Sequence, residues 1–184
     1  MTEWLSGRLL VAAPSLRDPN FDRTVVLVIE HAEEGALGLV LNRPSETDLA
    51  AALPRWEAVA AQPPVVFVGG PVAPTAAIGL APAPVGEEVE GWRHLFAGIG
   101  SIDLEQDPDE LAIPVSHVRV FAGYAGWSPG QLEAEVDAGA WYVVDALPGD
   151  ARCERPEDLW SAVLRRQGGA LAVVANFPPD PGMN

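Results

Sequence analysis

The chain of 184 residues contains no lysine; all eleven of its basic residues are arginine. That absence excludes a lysine Schiff base and any phosphate-binding loop that depends on its lysine. A single cysteine, Cys153, excludes an internal disulfide and a cysteine-based zinc site. The three histidines, His31, His94 and His117, are scattered without paired helical spacing, so no metal is expected, and no motif calls for a cofactor. Against eleven arginines stand 26 acids, a net charge of −15. Direct nucleic-acid binding is not expected at that balance, because it rests on neutralising phosphates, and neither is attraction to an anionic membrane. No apolar run approaches the ~18 residues of a membrane-spanning helix, and residues 9–13 are too short a run for a secretory signal. The expected location is the cytoplasm.

A hydrophobic content of 48% is that of a folding chain, and its length suits one domain over residues 1–184. The charge is uneven. Residues 1–45 hold four arginines and six acids, net −2, whereas residues 87–110 hold one arginine and eight acids, net −7. A contact with an anion would therefore be local and amino-terminal.

Residues 7–13 read as a short buried strand, followed by a polar turn at 16–23 with proline and Asx residues. Residues 24–30 and 36–41 are strands joined by a hairpin loop at 31–35, closed by Asn42-Arg43-Pro44. That hairpin would bring the Asp18–Arg23 turn and Asn42-Arg43 to one end and leave His31 at the other. Residues 48–61 are weakly helical, interrupted by Pro54. Val65–Val68 is a short strand running into the Gly69-Gly70-Pro71 turn, with 76–80 as its returning partner. Residues 82–93 read as an exposed loop, 95–99 as a strand, 103–112 as a solvated acidic face and 148–155 as a linker. Pro156–Gln167 has every mark of a helix: proline at its start, Glu157 and Asp158 in the first turn, an apolar stripe of Leu159, Trp160, Val163 and Leu164, and Arg165-Arg166 at its end. Residues 170–175 are a buried run, strand or helix.

The densest stretch is 118–144. A strand with alternating faces is expected from Val118, broken by a turn at Gly123-Tyr124-Ala125-Gly126-Trp127. Ser128 would cap a helix with Pro129 first and Gln131 bonding back, Gly139 would end it, and residues 141–144 would form another strand. This turn either presents Tyr124, Trp127 and the helix N–H groups at Ser128–Gln131 to a ligand, or is a corner whose aromatics are core.

Three blocks, GRLLVAAPSLRDPNFDRTVVLVIEHAEEGALGLVLNRP at 7–44, VVFVGGPV at 65–72 and the stretch 118–144, together resemble the YqgE/AlgH family of bacterial proteins. The resemblance covers nearly the whole chain. It implies an α+β fold with a bifurcated, partly barrel-like, mixed or antiparallel sheet surrounded by helices, and a cytosolic location. The family's label of transcriptional regulator implies a regulatory role, but no catalytic residues come with it. Many members carry a histidine near position 80, where this chain has Ala81 and Pro82, so no role resting on that histidine transfers.

Recognisable catalytic motifs are lacking: Gly98-Ile99-Gly100-Ser101-Ile102 is neither a nucleophile elbow nor, with Asp103 following, a dinucleotide fingerprint. The informative polar set is Asp18, Asn20, Arg23, Asn42 and Arg43. It is either an anion site or a structural network in which both arginines pair with Asp18 and Asp22. Gly69 and Gly70 are either an anion nest or a plain tight turn. The expected function is regulation exerted indirectly, through a small anionic ligand or a protein partner. The alternatives are an enzyme on a small anionic metabolite, with Arg23 and Arg43 as clamps and Tyr124 or His31 as proton donor, and an acidic adaptor for basic partners. If the enzyme reading holds, those side chains converge on one pocket.

Overall fold

A computed structural model describes residues 3–82, 90–112 and 114–179. Most of the loop expected at 82–93 and the end of the tail lie outside them. The sheet is assembled from β1 (Arg8–Ala12), β2 (Val25–Ala32), β3 (Gly35–Val40), β4 (Pro44–Asp48) and β5 (Val65–Val68), then β6 (Val72–Pro82), β7 (Trp92–Phe96), β8 (Ile99–Ile102), β9 (Arg119–Trp127) and β10 (Trp141–Asp145). Four α-helices accompany it: α1 (Leu49–Ala52), α2 (Gln131–Asp137), α3 (Pro156–Gln167) and α4 (Gly169–Val174). The fold is α+β, a curled half-barrel sheet with a few helices.

The strands follow the order β10-β1-β2-β3-β9-β6-β8-β7, with β4 and β5 branching from β9. The fork lies on one edge of β9. Phe121 and Ala122 pair with β5 in parallel, and Ala125, Gly126 and Trp127 pair antiparallel with β3. Gly69 bridges the two arms, accepting from Val40 N at 2.8 Å and donating to Ala122 O at 2.8 Å. This is the bifurcation the family resemblance implies.

β1 alternates between two cores. Leu9 and Val11 face α3 with Val25, Leu27 and Phe121, while Leu10 and Ala12 face α2 with Val26, Val28 and Trp141. Coverage on both faces explains why its sequence is a continuous apolar run. On α3, Leu159, Trp160, Val163 and Leu164 are all buried, each worth about 1.5–3 kcal/mol. Trp160 also donates its indole N–H to Ala12 O at 2.9 Å, locking α3 to β1. A third cluster, with Leu49, Trp56, Trp92 and Val120, fills the β6–β8 end.

Several expectations are corrected. Residues 123–127 are not a turn but the second half of β9, because β3 on one edge and Val72 on the other supply hydrogen-bonding partners. The positive φ of Gly123, 75°, bends the strand there without ending it. The returning strand after Gly69-Gly70 pairs with β9 and β8, not with β5. The single strand expected at 95–99 is a hairpin of β7 and β8 turning at Ala97-Gly98. The β2–β3 loop is only Glu33-Glu34, which places His31 inside β2 opposite Ala36. Residues 170–175, left open between strand and helix, form α4.

Candidate functional site

The hairpin does gather the amino-terminal polar set. Asp18 organises the turn: its carboxylate accepts from Asn20 N at 2.9 Å and its carbonyl from Phe21 N and Asp22 N. Asn42 clamps the strand ends, accepting from Val25 N at 3.0 Å and donating to Arg23 O at 2.9 Å. Arg43 reaches across to donate to Pro19 O at 2.6 Å and Asp22 O at 2.9 Å. Burial pulls Arg23 and Arg43 below the ordinary arginine range, against the opposing pull of Asp22.

The expected pairing of Arg23 and Arg43 with Asp18 and Asp22 does not form. Among the described residues, the arginines in ion pairs are Arg8, Arg155 and Arg166. Arg43 is instead spent on turn carbonyls, a structural task. Arg23 differs. One Nη donates to Phe177 O at 2.8 Å, and the guanidinium carbon lies 4.0 Å from the Trp160 ring centroid.

Arg23 opens onto a cleft of about 740 Å³ between the β1–β2 turn, β10 and the chain's carboxyl-terminal segment. Pro14, Ser15, Arg17 and Asp22 line one side. Tyr142, Val174 and Phe177-Pro178-Pro179 line the other. Its size is that of a small-molecule site. Arg17, Tyr142 and the carboxyl-terminal wall were not among the residues singled out in the sequence. Arg17 belongs to the polar turn at 16–23, directly before Asp18.

The other candidates lie elsewhere. Gly69 and Gly70 are a close-packed crossing: a Cβ on Gly69 would strike Gly123 O, and one on Gly70 would strike the backbone of Tyr124. Since Gly69 N already donates to Ala122 O, the pair forms no open anion nest. Asn20, Arg43 and Gly70 do meet, around a recess of about 50 Å³. Tyr124 packs at the margin of the α3-facing core. Trp127 is buried, near Phe21 and Trp141, and both indoles donate to Glu135 at 2.9 Å. Gln131 does bond back to Ser128 N at 3.0 Å, but α2 starts only at Gln131, and the Ser128 hydroxyl contacts the Gln131 side chain, not a helix N–H. Two residues, Pro129 and Gly130, intervene, and Gly130 takes a left-handed φ of 76° just before the helix.

His31 sits apart from all of these. Its Nδ1 accepts from Leu5 N at 3.1 Å, so the ring proton belongs on Nε2, which faces Glu133 at 3.0 Å. The clamp of Arg23 and Arg43 with Tyr124 or His31 is therefore not assembled: neither Arg43, Tyr124 nor His31 lines the Arg23 cleft.

The AlgH-like family profile matches residues 9–172. The chain belongs to the AlgH-like family. A UPF0301 protein of Streptomyces coelicolor is 54% identical over 98% of this chain and 95% of its own length. One of Thermobifida fusca is 50% identical over 98% and 96%. A crystal structure of a Corynebacterium diphtheriae protein superposes with a TM-score of 0.88 at 34% identity, covering 96% of this chain and 94% of that one. The solution structure of AlgH from Pseudomonas aeruginosa superposes with a TM-score of 0.70 at 31% identity, covering 97% and 98%. Both solved structures share the fold of this chain. Among the described residues, no helix is long and apolar enough to cross a membrane.

Proposed function

We propose that this AlgH-like chain is a non-enzymatic binding protein whose small-molecule site is the Arg17–Arg23 cleft, and that any effect on transcription is indirect. The observation that carries the reading is the cleft itself, about 740 Å³ with two guanidinium groups that form no ion pair among the described residues. Such groups are common anchors for anionic ligands, and their fork of N–H donors matches carboxylate and phosphate. The overall charge of −15 supports a local contact over an extended anionic partner.

A thermal-shift screen of the purified protein against small anionic metabolites tests it, beside an Arg17→Glu variant. Arg17 is exposed and has no described structural partner, so its reversal should leave the fold intact. A ligand at about 100 times its Kd adds about 2.7 kcal/mol, or several degrees for a chain of this size. Hits that disappear in Arg17→Glu support the cleft. Hits that persist unchanged there place binding elsewhere and refute it.

A further inference from the structure

The composition of the cleft narrows the ligand it would take, and this inference rests on the cleft being the ligand site. Its charge can be counted. Among the described lining residues, Arg17 and Arg23 contribute two positive groups and Asp22 one negative, which leaves one positive charge in excess. One negative charge on the ligand balances the site. A phosphate monoester, carrying about −1.5 to −2, overshoots it.

The arginine geometry is partly set in advance. One Nη of Arg23 is held by the Phe177 carbonyl, and the guanidinium is fixed over Trp160. Its orientation is thus set before a ligand arrives. Arg17 is exposed on the same wall and can swing to meet the ligand. A carboxylate is planar and offers two oxygens to such forks. Preorganising one of the two lowers the cost of binding.

The remaining walls are hydrocarbon. Pro14, Val174, Phe177, the two prolines after it and Tyr142 supply the rest of the lining. Acetate would leave most of that surface wet, whereas an aryl or branched body would cover it and gain about 25 cal/mol per Å² removed from water. We infer that the cleft binds a monocarboxylate with an apolar body of aryl or branched-chain size.

The test uses the full chain and four probes: 3-phenylpropanoate, 3-phenylpropanamide, phenyl phosphate and acetate. Binding is followed by titration in NMR spectra, with Arg17→Gln and the cleft-filling Val174→Trp alongside, each checked for folding by circular dichroism. The expected result is that 3-phenylpropanoate binds about tenfold or more tighter than each of the other three. Arg17→Gln should weaken it by a similar factor, and Val174→Trp should abolish it. If the amide equals the acid, or phenyl phosphate binds more tightly, the monocarboxylate inference is overturned. The cleft itself still stands in that case, provided Val174→Trp removes the binding. If Val174→Trp binds like the parent, or no probe binds at millimolar concentration, the cleft reading and the inference fall together.

Discussion

The guanidinium of Arg23 lies 4.0 Å from the centroid of the Trp160 ring, which joins the β1–β2 turn to the helix packed over the sheet. The same side chain holds Phe177, 154 residues further along the chain, through its carbonyl. One residue therefore positions three parts of the molecule and forms a wall of the cleft. Arg23→Ala should lower stability by about 2 kcal/mol, or roughly 4–8 °C in Tm. Arg23→Lys should recover little, since an ammonium neither stacks nor forks as a guanidinium does. Thermal denaturation of the three proteins checks this; a Lys variant as stable as the parent would show that charge alone matters.

The fork in the sheet predicts a contrast between two glycines. Gly70 lies against the backbone of Tyr124 and Ala125, and an added Cβ has nowhere to go. Gly130 has a positive φ but open space around it. Gly130→Ala should cost about 1–2 kcal/mol, the left-handed penalty alone. Gly70→Ala should cost about 3 kcal/mol or more, because backbone must shift. Urea unfolding resolves the two, and equal costs would contradict the close crossing.

The ion pairs should be unequal. Arg166 bonds both oxygens of Asp150 at 2.6 and 2.7 Å, and Asp150 is only 4% exposed. Arg155 meets Glu157 and Asp158 at the surface. Arg166→Met strands a buried carboxylate and should cost about 2–4 kcal/mol, with Asp150→Asn in the double variant restoring part of it. Arg155→Met should cost less than about 1 kcal/mol. Chemical denaturation separates the cases.

Acid stability should carry a contribution from Glu133. A hydrogen bond from its own backbone N–H holds its carboxyl below the usual range against the opposing pull of desolvation, and the His31 ring adds a smaller downward pull. A depressed folded value contributes stability that is complete above the unfolded value, about 4.5. That contribution is lost as pH falls through the folded value. Glu133→Gln should therefore flatten the fall in stability on the acid side of that window, measured as Tm against pH. An identical acid limb in the variant would show that the Glu133 carboxylate contributes nothing.

The parts of the fold legible in the sequence are those set by local pattern. The β2–β3 hairpin follows from two apolar runs around a short loop, and α3 from its proline start, acidic first turn and arginine end. β9 is not legible past Ala122, because Gly123 and Gly126 among aromatics resemble a turn. What keeps the strand going is a pair of neighbours distant in sequence, β3 and Val72. The site shows the same division. The meeting of Asp18, Arg23, Asn42 and Arg43 follows from hairpin geometry. The arginines' partners do not, because they are backbone carbonyls and an aromatic face, which no spacing of acids reveals. Tyr142 and Val174 reach the cleft only through tertiary packing.

The most direct test of the cleft as the ligand site is a map of ligand-induced chemical-shift changes on the isotope-labelled protein, using the strongest small anion from the screen. The changes should cluster on Arg17, Arg23, Tyr142 and Phe177, including the guanidinium signals of both arginines. Changes centred on Tyr124, His31 or the Gly69-Gly70 crossing, with the cleft silent, would contradict it.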